Sequence, residues 1–406
     1  MKQSLQKITK IKFRSIRWTH AVIALVAVGA IGALFLALSH ADTSSINAEA
    51  ENGVLGGNAQ KVNGITGASG GSIVTFKSGG GGPTGTEKLV LTSGKLLTGS
   101  GTQMKMAGIC VWGIQDQVTE NSDTGNNNYA NRVKIANNIK AWGGNHIRLR
   151  VLASDYDDQA FMPKAQYIQQ IKDWRDAAKA AGLYLQIVWW DSLDGNYEDA
   201  GWASNYSKAF PMMKDVVAAI GDDPMVYYEP FNEPNGVSES AWLTAMKATI
   251  ATFRTAGYTG ILLLDTTEWS HTYNDADFTA LEQHDSTQTG MNGKHQIIFA
   301  KHDYGQEYSG NWSESAWKAN NGGWDMTKHA VWETEFGNYV SSGPTPAWSK
   351  SAAIGLAQKV SDGTIVGATA FVYNWVDANT MVGSDLITPN EWGGYVKNNF
   401  LAGVQH

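Results

Sequence analysis

Residues 88–406 alternate short apolar runs with amphipathic segments. Several of the apolar runs are nearly continuous, as is typical of strands buried on both faces. The pattern predicts eight strands, at 106–112, 146–152, 184–190, 225–231, 261–265, 296–302, 330–336 and 366–375. It also predicts six helices between them, at 129–142, 165–181, 206–220, 239–256, 314–320 and 347–360.

This alternation predicts an α/β fold, a (β/α)8 TIM barrel over residues 88–406. The competing architecture is an open doubly wound sheet. Such a sheet would need a Gly-rich phosphate turn between an early strand and a helix. The glycines at 79–82 precede no helix, so the barrel is favoured.

The chain before residue 88 divides into three segments. Residues 1–41 contain a basic start, an apolar run at 21–38 and a cleavage-like Ser39-His40-Ala41, which predict a signal peptide or membrane anchor. Cleavage is slightly favoured over an uncleaved anchor, and either outcome predicts an exported protein, extracellular or at the cell surface. Residues 42–77 are a short β-rich piece that resembles a fragment of a carbohydrate-binding module. Residues 78–87 form a Gly-rich linker, and 89–106 predict a small hairpin.

Composition narrows the class of partner. The formal net charge is −7, which argues against nucleic acid and other polyanions. The chain has 16 Trp and 15 Tyr, and such rings can stack on the flat apolar faces of sugars. Cys110 is the single cysteine, so no intramolecular disulfide can form, and a core position is predicted for it.

Two acidic residues lie at predicted strand ends, where barrel enzymes carry catalytic groups. The fourth strand ends in Asn232-Glu233-Pro234. The seventh contains Glu333 and Glu335 just before Gly337. Alternation puts Glu333 and Glu335 on one face, and Glu335 is preferred because it lies nearer the strand end. Glu333 would lie deeper as a buried partner.

A pair of carboxyl groups meets the requirement of glycoside hydrolysis, in which one is protonated to assist the leaving oxygen and the other is ionised to attack the anomeric carbon. Arg148 on the second strand would keep the nucleophile ionised, although a structural ion pair is the alternative. His302 and Tyr304 end the sixth strand and Trp375 ends the eighth. His302 and Asp303 do not form a metal-ligand pattern, so no metal and no cofactor are expected.

These residues resemble the motifs of glycoside hydrolase family 5, the cellulase family, over about Lys88 to the C-terminus. The matches occur in family order: Arg148, Asn232-Glu233-Pro234, Glu268-Trp269-Ser270, His302 with Tyr304, Glu335-Phe336-Gly337, and Trp375. The resemblance implies a retaining barrel enzyme that cleaves β-linked polysaccharide.

It also implies individual roles. Glu233 would be the acid/base and Glu335 the nucleophile, with Asn232 bonding the sugar 2-hydroxyl and Tyr304 bonding Glu335. His302 would line the −1 subsite, Trp375 would stack beneath that sugar, and Trp269 would contact an adjacent subsite.

The chain departs from the family pattern at the third strand, where Val188-Trp189-Trp190 replaces the usual Asp-aromatic-His. We expect one Trp to face the barrel interior or its mouth, and, if it reaches the mouth, Asp191 to supply the missing polar group. The leading functional prediction is an endo-β-1,4-glucanase. The alternatives are a β-mannanase of the same family and a non-catalytic carbohydrate-binding surface protein. A monomer is expected.

Overall fold

The structure is a computed structural model that divides into two compact units, Met1–Gly79 and Gly80–His406. In the first unit, β1 (Ala59–Asn63) pairs antiparallel with β2 (Ser72–Phe76). The residues described are 59–63, 72–76, 87–114, 129–160, 162–191, 202–305, 308, 310–320, 323–338, 346–374 and 380–405. The predicted signal or anchor segment and nearly all of the predicted linker lie outside these ranges. Within them, no helix is both long and apolar enough to cross a bilayer.

The second unit contains a closed barrel of eight parallel strands, so the open-sheet alternative is wrong. All described positions in these strands are buried, which explains their continuous apolar runs. The strands are β5 (Met106–Val111), β6 (His146–Val151), β7 (Tyr184–Trp189), β8 (Val226–Glu229), β9 (Leu262–Asp265), β10 (Ile297–Asp303), β11 (Val331–Gly337) and β12 (Gly367–Phe371).

The strand predictions agree with the structure except at the last strand, which was predicted to continue to Trp375. It ends at Phe371, although the Tyr373 N–H still donates to the Cys110 carbonyl of β5 at 2.8 Å. The carbonyls of Val372 and Tyr373 accept hydrogen bonds from the backbone N–H of Met381. Trp375 lies outside the described residues.

Helices lie between the strands, and all six predicted ones are present. The helices are α1 (Tyr129–Ala141), α2 (Ala153–Asp157), α3 (Lys164–Ala180), α4 (Trp202–Asn205), α5 (Phe210–Ile220), α6 (Glu239–Thr255), α7 (Thr267–Ser270), α8 (Asp275–Ser286), α9 (Glu314–Ala319), α10 (Pro346–Ser361) and α11 (Glu391–Tyr395). A 3-10 turn, Tyr206–Ala209, precedes α5, and a π turn, Val396–Phe400, follows α11.

Helix α8 is a notable element that the apolar pattern did not predict. Its buried apolar residues are Phe278 and Leu281. The apolar face of the helix is therefore too short to show a clear helical period in the sequence. The helix is defined at its start by Asn274, whose side chain accepts hydrogen bonds from the N–H groups of Ala276 and Asp277.

A hairpin covers the N-terminal ends of the barrel strands. It consists of β3 (Val90–Thr92) and β4 (Lys95–Leu97), in agreement with the sequence prediction. Leu89, Leu91 and Leu96 pack in one buried cluster with side chains from the lower barrel. Because this end is closed, the C-terminal ends of the strands are left for a site.

Candidate active site

Glu233 lies just after β8 in a left-handed backbone conformation, with φ 49°. Its backbone N–H donates to Asp265 Oδ2 at 2.7 Å. Its side chain is 13% exposed. Asn232 Nδ2 donates to Glu233 Oε2 at 3.2 Å, and His302 Nδ1 lies 2.8 Å from Glu233 Oε1. The carboxyl group is therefore held on both oxygens while it retains access to solvent.

Glu335 lies in β11, where a bulge changes the direction of the side chains. Lys301 of β10 pairs with Glu333, but the next residue, His302, pairs with Glu335, so Thr334 is an extra residue. The equal parity predicted for Glu333 and Glu335 is therefore wrong. Glu333 points away from the barrel interior and accepts a hydrogen bond from Trp317 Nε1 of α9 at 2.9 Å. Glu335 faces the site.

The two candidate carboxyl groups lie close together. One oxygen of Glu233, one oxygen of Glu335 and a ring nitrogen of His302 all lie within 4.8 Å of one another. Retaining glycosidases hold their two carboxyl groups about 5–5.5 Å apart, whereas inverting enzymes need about 6.5–9.5 Å for a water molecule. A nearest-oxygen separation within 4.8 Å fits the closer of these two spacings.

Arg148 lies beneath this pair and connects several strands. It is fully buried and bonds both oxygens of Glu229 at 2.8 Å. Its Nη1 donates to Glu335 Oε2 at 2.7 Å, and its Nη2 donates to Asn232 Oδ1 at 2.6 Å. Glu229 also accepts a hydrogen bond from Gln186. One guanidinium group therefore fixes the nucleophile candidate and the amide beside the acid candidate.

The buried charges shift one another's pKa values. Burial raises the pKa of Glu335, and the charge of Glu233 adds to this, while His302 and Arg148 oppose it. Burial would also raise the pKa of Glu229, but Arg148 outweighs it and holds that pKa below its usual range.

The pKa of His302 is raised, although its burial alone would lower it. The neighbouring acidic groups, Glu335 foremost, outweigh burial and raise the pKa well above the usual value. His302 Nε2 also bonds Thr334 Oγ1 at 2.9 Å. The Tyr304 hydroxyl donates to Glu335 Oε1, so the nucleophile candidate has donors on both oxygens.

Among the described residues, two sets of three side chains bring ligand-type atoms within 4.8 Å, namely Glu229, Asp265 and His302, and Glu233, His302 and Glu335. In each set, carboxylates already bond cationic side chains, apart from Asp265, which accepts the backbone N–H of Glu233. Arg148 bonds Glu229 and Glu335, and His302 bonds Glu233. These atoms therefore serve the hydrogen-bond network of the site.

An aromatic wall borders the site where the family His is missing. Trp190 is 5% exposed and packs against Trp112 and Phe371, with ring centroids 5.7 and 6.1 Å apart. The guanidinium of Arg148 lies 5.2 Å from the Trp190 ring. Trp189 faces the opposite way, against Tyr228 and Phe253. As predicted, one of the two Trp residues faces the interior.

Asp191 does not supply the missing polar group. Its carboxylate accepts hydrogen bonds from the backbone N–H of Ala153 at 2.6 Å and of Ser154 at 3.2 Å, and from the Ser154 hydroxyl. Asp191 therefore binds the first turn of α2, where backbone N–H groups lack intrahelical acceptors. The expectation that it would replace the family His is wrong.

Trp269 lies directly after β9 and is 42% exposed, a high value for so large an apolar side chain. Glu268, Trp269 and Ser270 all have positive φ, at 53°, 55° and 65°. Consecutive left-handed residues other than glycine are unfavourable, and such strain concentrates at functional sites.

Three site residues were missed by the sequence analysis. Glu229 and Asp265 are acids that end apolar strands, so the rule that selected Glu335 could have selected them as well. Phe371 is the aromatic residue that ends β12, and its ring lies 6.4 Å from that of Tyr304. Cys110 is in the core as predicted, and burial raises the pKa of its thiol to about 12.

A closed (β/α)8 barrel with two close carboxyl groups at the ends of its fourth and seventh strands defines a glycoside hydrolase. The sequence model of the cellulase family, glycosyl hydrolase family 5, matches residues 99–365. The chain belongs to this family, and the (β/α)8 architecture fits its retaining clan.

Several solved structures share the fold. A β-glucanase from Saccharophagus degradans has a TM-score of 0.62 and 17% identity, covering 78% of this chain and 94% of that one. A β-mannanase from Streptomyces thermolilacinus has a TM-score of 0.58 and 16% identity, covering 79% and 97%. A Thermobifida fusca endoglucanase catalytic domain has a TM-score of 0.56 and 17% identity, covering 78% and 97%. At these identities the likeness shows the fold.

Proposed function

We propose that the protein is a retaining endo-β-1,4-glucanase in which Glu335 is the nucleophile and Glu233 the acid/base. The observation that carries this proposal is the close approach of the two carboxyl groups, within 4.8 Å between one oxygen of each. Their surroundings differ as the two roles require. Glu335 is held by a cation and a phenol, and Glu233 retains solvent access.

In the first step, Glu335 attacks the anomeric carbon and the glycosidic bond to the leaving oxygen breaks. Arg148 and Tyr304 keep the attacking carboxylate ionised and oriented before the bond forms. Glu233 gives a proton to the leaving oxygen. In the second step, Glu233 takes a proton from water, the water oxygen attacks the anomeric carbon, and Glu335 is released as a carboxylate.

His302 provides a store for the transferred proton, because its Nδ1 lies 2.8 Å from Glu233 Oε1. Ionised Glu335 contributes to the raised pKa of His302 and so favours the proton on the imidazole. When Glu335 bonds to the sugar its charge disappears, and the pKa of His302 falls. The proton then passes to Glu233 and on to the leaving oxygen, so attack and protonation proceed together.

The aromatic wall favours glucan over mannan as the substrate. The indole of Trp190 offers no hydrogen-bond acceptor, and the Asp191 carboxylate is bound to α2. An axial 2-hydroxyl, as in mannose, would find no free hydrogen-bond acceptor on these two residues. An equatorial 2-hydroxyl can approach Asn232. Because fold relatives include both a β-glucanase and a β-mannanase, mannan is the second candidate substrate.

Rescue by azide distinguishes the roles of the two glutamates. In Glu335→Ala, azide should attack the sugar directly and give an α-glycosyl azide from an activated β-glucoside. In Glu233→Ala, the glycosyl-enzyme still forms and azide should give the β-product by double displacement. Exchange of these two products would reverse the assignment. No release of reducing sugar by the wild type from any β-glycan would favour the non-catalytic binding protein.

Matched kinetics on soluble β-1,4-glucan and β-1,4-mannan test the substrate. We expect kcat/KM to favour glucan, and Trp190→His to narrow the difference, while Trp190→Phe keeps it. A preference of the wild type for mannan by about tenfold, or about 1.4 kcal/mol, would overturn the substrate assignment but not the two-glutamate mechanism. A fast fall in viscosity relative to new reducing ends would support endo action.

We also propose that the protein is exported. The support is the basic start, the apolar run at 21–38 and the cleavage-like Ser39-His40-Ala41. Protein sequencing of the mature N-terminus decides between the two forms. A start at Asp42 would show a cleaved signal peptide, and retention of residues 21–38 in a membrane fraction would show an anchor.

A further inference from the structure

Asp265 ends β9, and the sequence analysis gave it no role. The residue is buried, at 1% exposure, and its backbone carbonyl accepts a hydrogen bond from Trp242 Nε1 at 2.9 Å. Its Oδ2 accepts the backbone N–H of Glu233 at 2.7 Å. Asp265 Oδ1 is buried and accepts no hydrogen bond from the described residues. A buried carboxylate with one bonded oxygen is costly unless it is neutral or has a specific use.

The bond to Glu233 has a clear structural consequence. Glu233 has a φ of 49°, a conformation that residues with a Cβ rarely adopt. It has also left the β8 ladder, so its N–H needs an acceptor outside the barrel hydrogen bonds. Asp265 supplies that acceptor from the neighbouring strand. The direction of the Glu233 side chain therefore depends on Asp265.

The charges around Asp265 favour its neutral form. Glu229 faces it from β8, and His302 Nε2 from β10 lies 3.6 Å from its Oδ2. Burial and the charge of Glu229 raise the pKa of Asp265 well above its usual value, while His302 and Arg148 of β6 oppose this. Glu229 itself stays ionised because Arg148 holds it. Of these two carboxyl groups, Asp265 is therefore the one that carries a proton.

Neutral Asp265 also suits the proton transfer. An ionised carboxylate 3.6 Å from His302 would hold the proton on the imidazole and oppose its transfer to Glu233. A neutral carboxyl group removes that opposition and still accepts the Glu233 N–H through one oxygen.

We propose that Asp265 is a positioning residue that, in its neutral form, fixes the left-handed backbone of Glu233 so that its carboxyl group can reach the leaving oxygen. This inference rests on the proposed acid/base role of Glu233. Asp265 does not bond the reacting atoms, so its effect should be confined to the step that needs a proton.

The test compares two aryl β-cellobiosides, one with a dinitrophenolate leaving group and one with an unactivated phenolate. The first needs little protonation and the second needs a proton donor. Asp265→Ala removes the hydrogen-bond acceptor, and Asp265→Leu removes it while filling more of the volume. Each variant should lower kcat/KM on the unactivated substrate about tenfold more than on the activated one. Asp265→Asn keeps an acceptor and imitates the neutral acid. It should stay within about threefold of wild type on both substrates, with an unchanged pH profile.

Two control variants and unfolding temperatures distinguish a loss of proton donation from a loss of folded structure. Glu233→Ala should show the same difference between substrates, only larger. Thr266 is the residue after Asp265, and its buried hydroxyl has no hydrogen-bond partner among the described residues. Thr266→Val should therefore behave as wild type. Unfolding temperatures of all variants identify loss of structure.

Equal losses on both substrates in folded Asp265→Ala or Asp265→Leu would overturn the inference and leave the mechanism standing. A pH profile of Asp265→Asn whose basic limb moves to lower pH would show that Asp265 works ionised, and would also overturn it. If Glu233→Ala itself shows no difference between the substrates, the proposed acid/base role fails instead. If both acceptor-free variants fail to fold, the pH profile of Asp265→Asn still decides between the neutral and the ionised form.

Discussion

At the scale of single residues, Arg148 determines the charge balance of the site. Its planar group bonds Glu229 through two nitrogens and still reaches Glu335 and Asn232. A lysine could not reproduce this geometry, since it offers one compact charge. Paired with Arg148, Glu229 stays ionised, and Glu335 receives a donor that opposes the effect of its burial.

Tyr304 provides the clearest test of how Glu335 is kept ionised. Its hydroxyl donates to Glu335 Oε1 and so lowers the pKa of that carboxyl. Tyr304→Phe should raise the pKa of Glu335. Because the ionised form is the active one, activity is lost as pH falls through this pKa, and the acid limb of kcat/KM should move to higher pH.

The loss of one hydrogen bond to a charged group, about 1.5–3 kcal/mol, corresponds to a fall in kcat/KM of about 10- to 150-fold. Tyr258→Phe is the matched control, because its buried hydroxyl bonds the carbonyls of Val226 and Ile261 and not the site. An acid limb that stays in place in Tyr304→Phe would contradict this account.

At the scale of elements, the bulge in β11 decides which of two acids faces the sugar. Thr334 is the extra residue, and its hydroxyl bonds His302. Without the bulge, regular alternation would put Glu333 and Glu335 on the same face. The bulge lets Glu335 enter the site while Glu333 bonds Trp317 of α9.

Glu333→Gln and Glu335→Gln form a matched pair, because the same change is made two residues apart. Burial and the charge of Asp303 raise the pKa of Glu333 well above its usual value, so Gln imitates its neutral form and can still accept from Trp317. We expect Glu333→Gln to keep kcat within about threefold and Glu335→Gln to lose turnover. Retained turnover in Glu335→Gln together with loss in Glu333→Gln would place the nucleophile at residue 333.

At the scale of the whole molecule, the second compact unit begins before the hairpin that closes the barrel. The Glu87 carbonyl accepts the Tyr184 hydroxyl at 3.0 Å, and Lys88 Nζ bonds Asp222 and, at 2.6 Å, Thr259. Leu89 is 2% exposed. The sequence immediately before β3 is therefore part of the barrel unit.

Truncation tests this boundary. A chain of residues 80–406 should fold, keep the kcat of the longer protein and unfold within about 2 °C of it. A chain of residues 90–406 lacks Glu87, Lys88 and Leu89 and should unfold several degrees lower, as thermal unfolding would show. Failure of the 80–406 chain to fold would show that the first unit is needed for the barrel.

The sequence predicted most of the fold because a closed parallel barrel demands strands that are apolar on both faces. It predicted the positions of Glu233 and Glu335 because these acids end such strands. It did not predict the contacts of Glu229 and Asp265, since these depend on the closure that brings β6, β8, β9 and β10 together. The β11 bulge was missed because it arises from the register of two neighbours, and a strand read by itself shows only alternation.

The proposed mechanism requires Glu335 to attack the anomeric carbon. Incubation with a dinitrophenyl 2-deoxy-2-fluoro-β-cellobioside should trap the glycosyl-enzyme, since the good leaving group permits attack and the fluorine slows hydrolysis. Mass spectrometry of the protease-digested enzyme, with fragmentation between residues 333 and 335, locates the added sugar. We expect one sugar, on Glu335. A sugar on Glu333 or Glu233, or product release with inverted anomeric configuration and no trapped species, would contradict it.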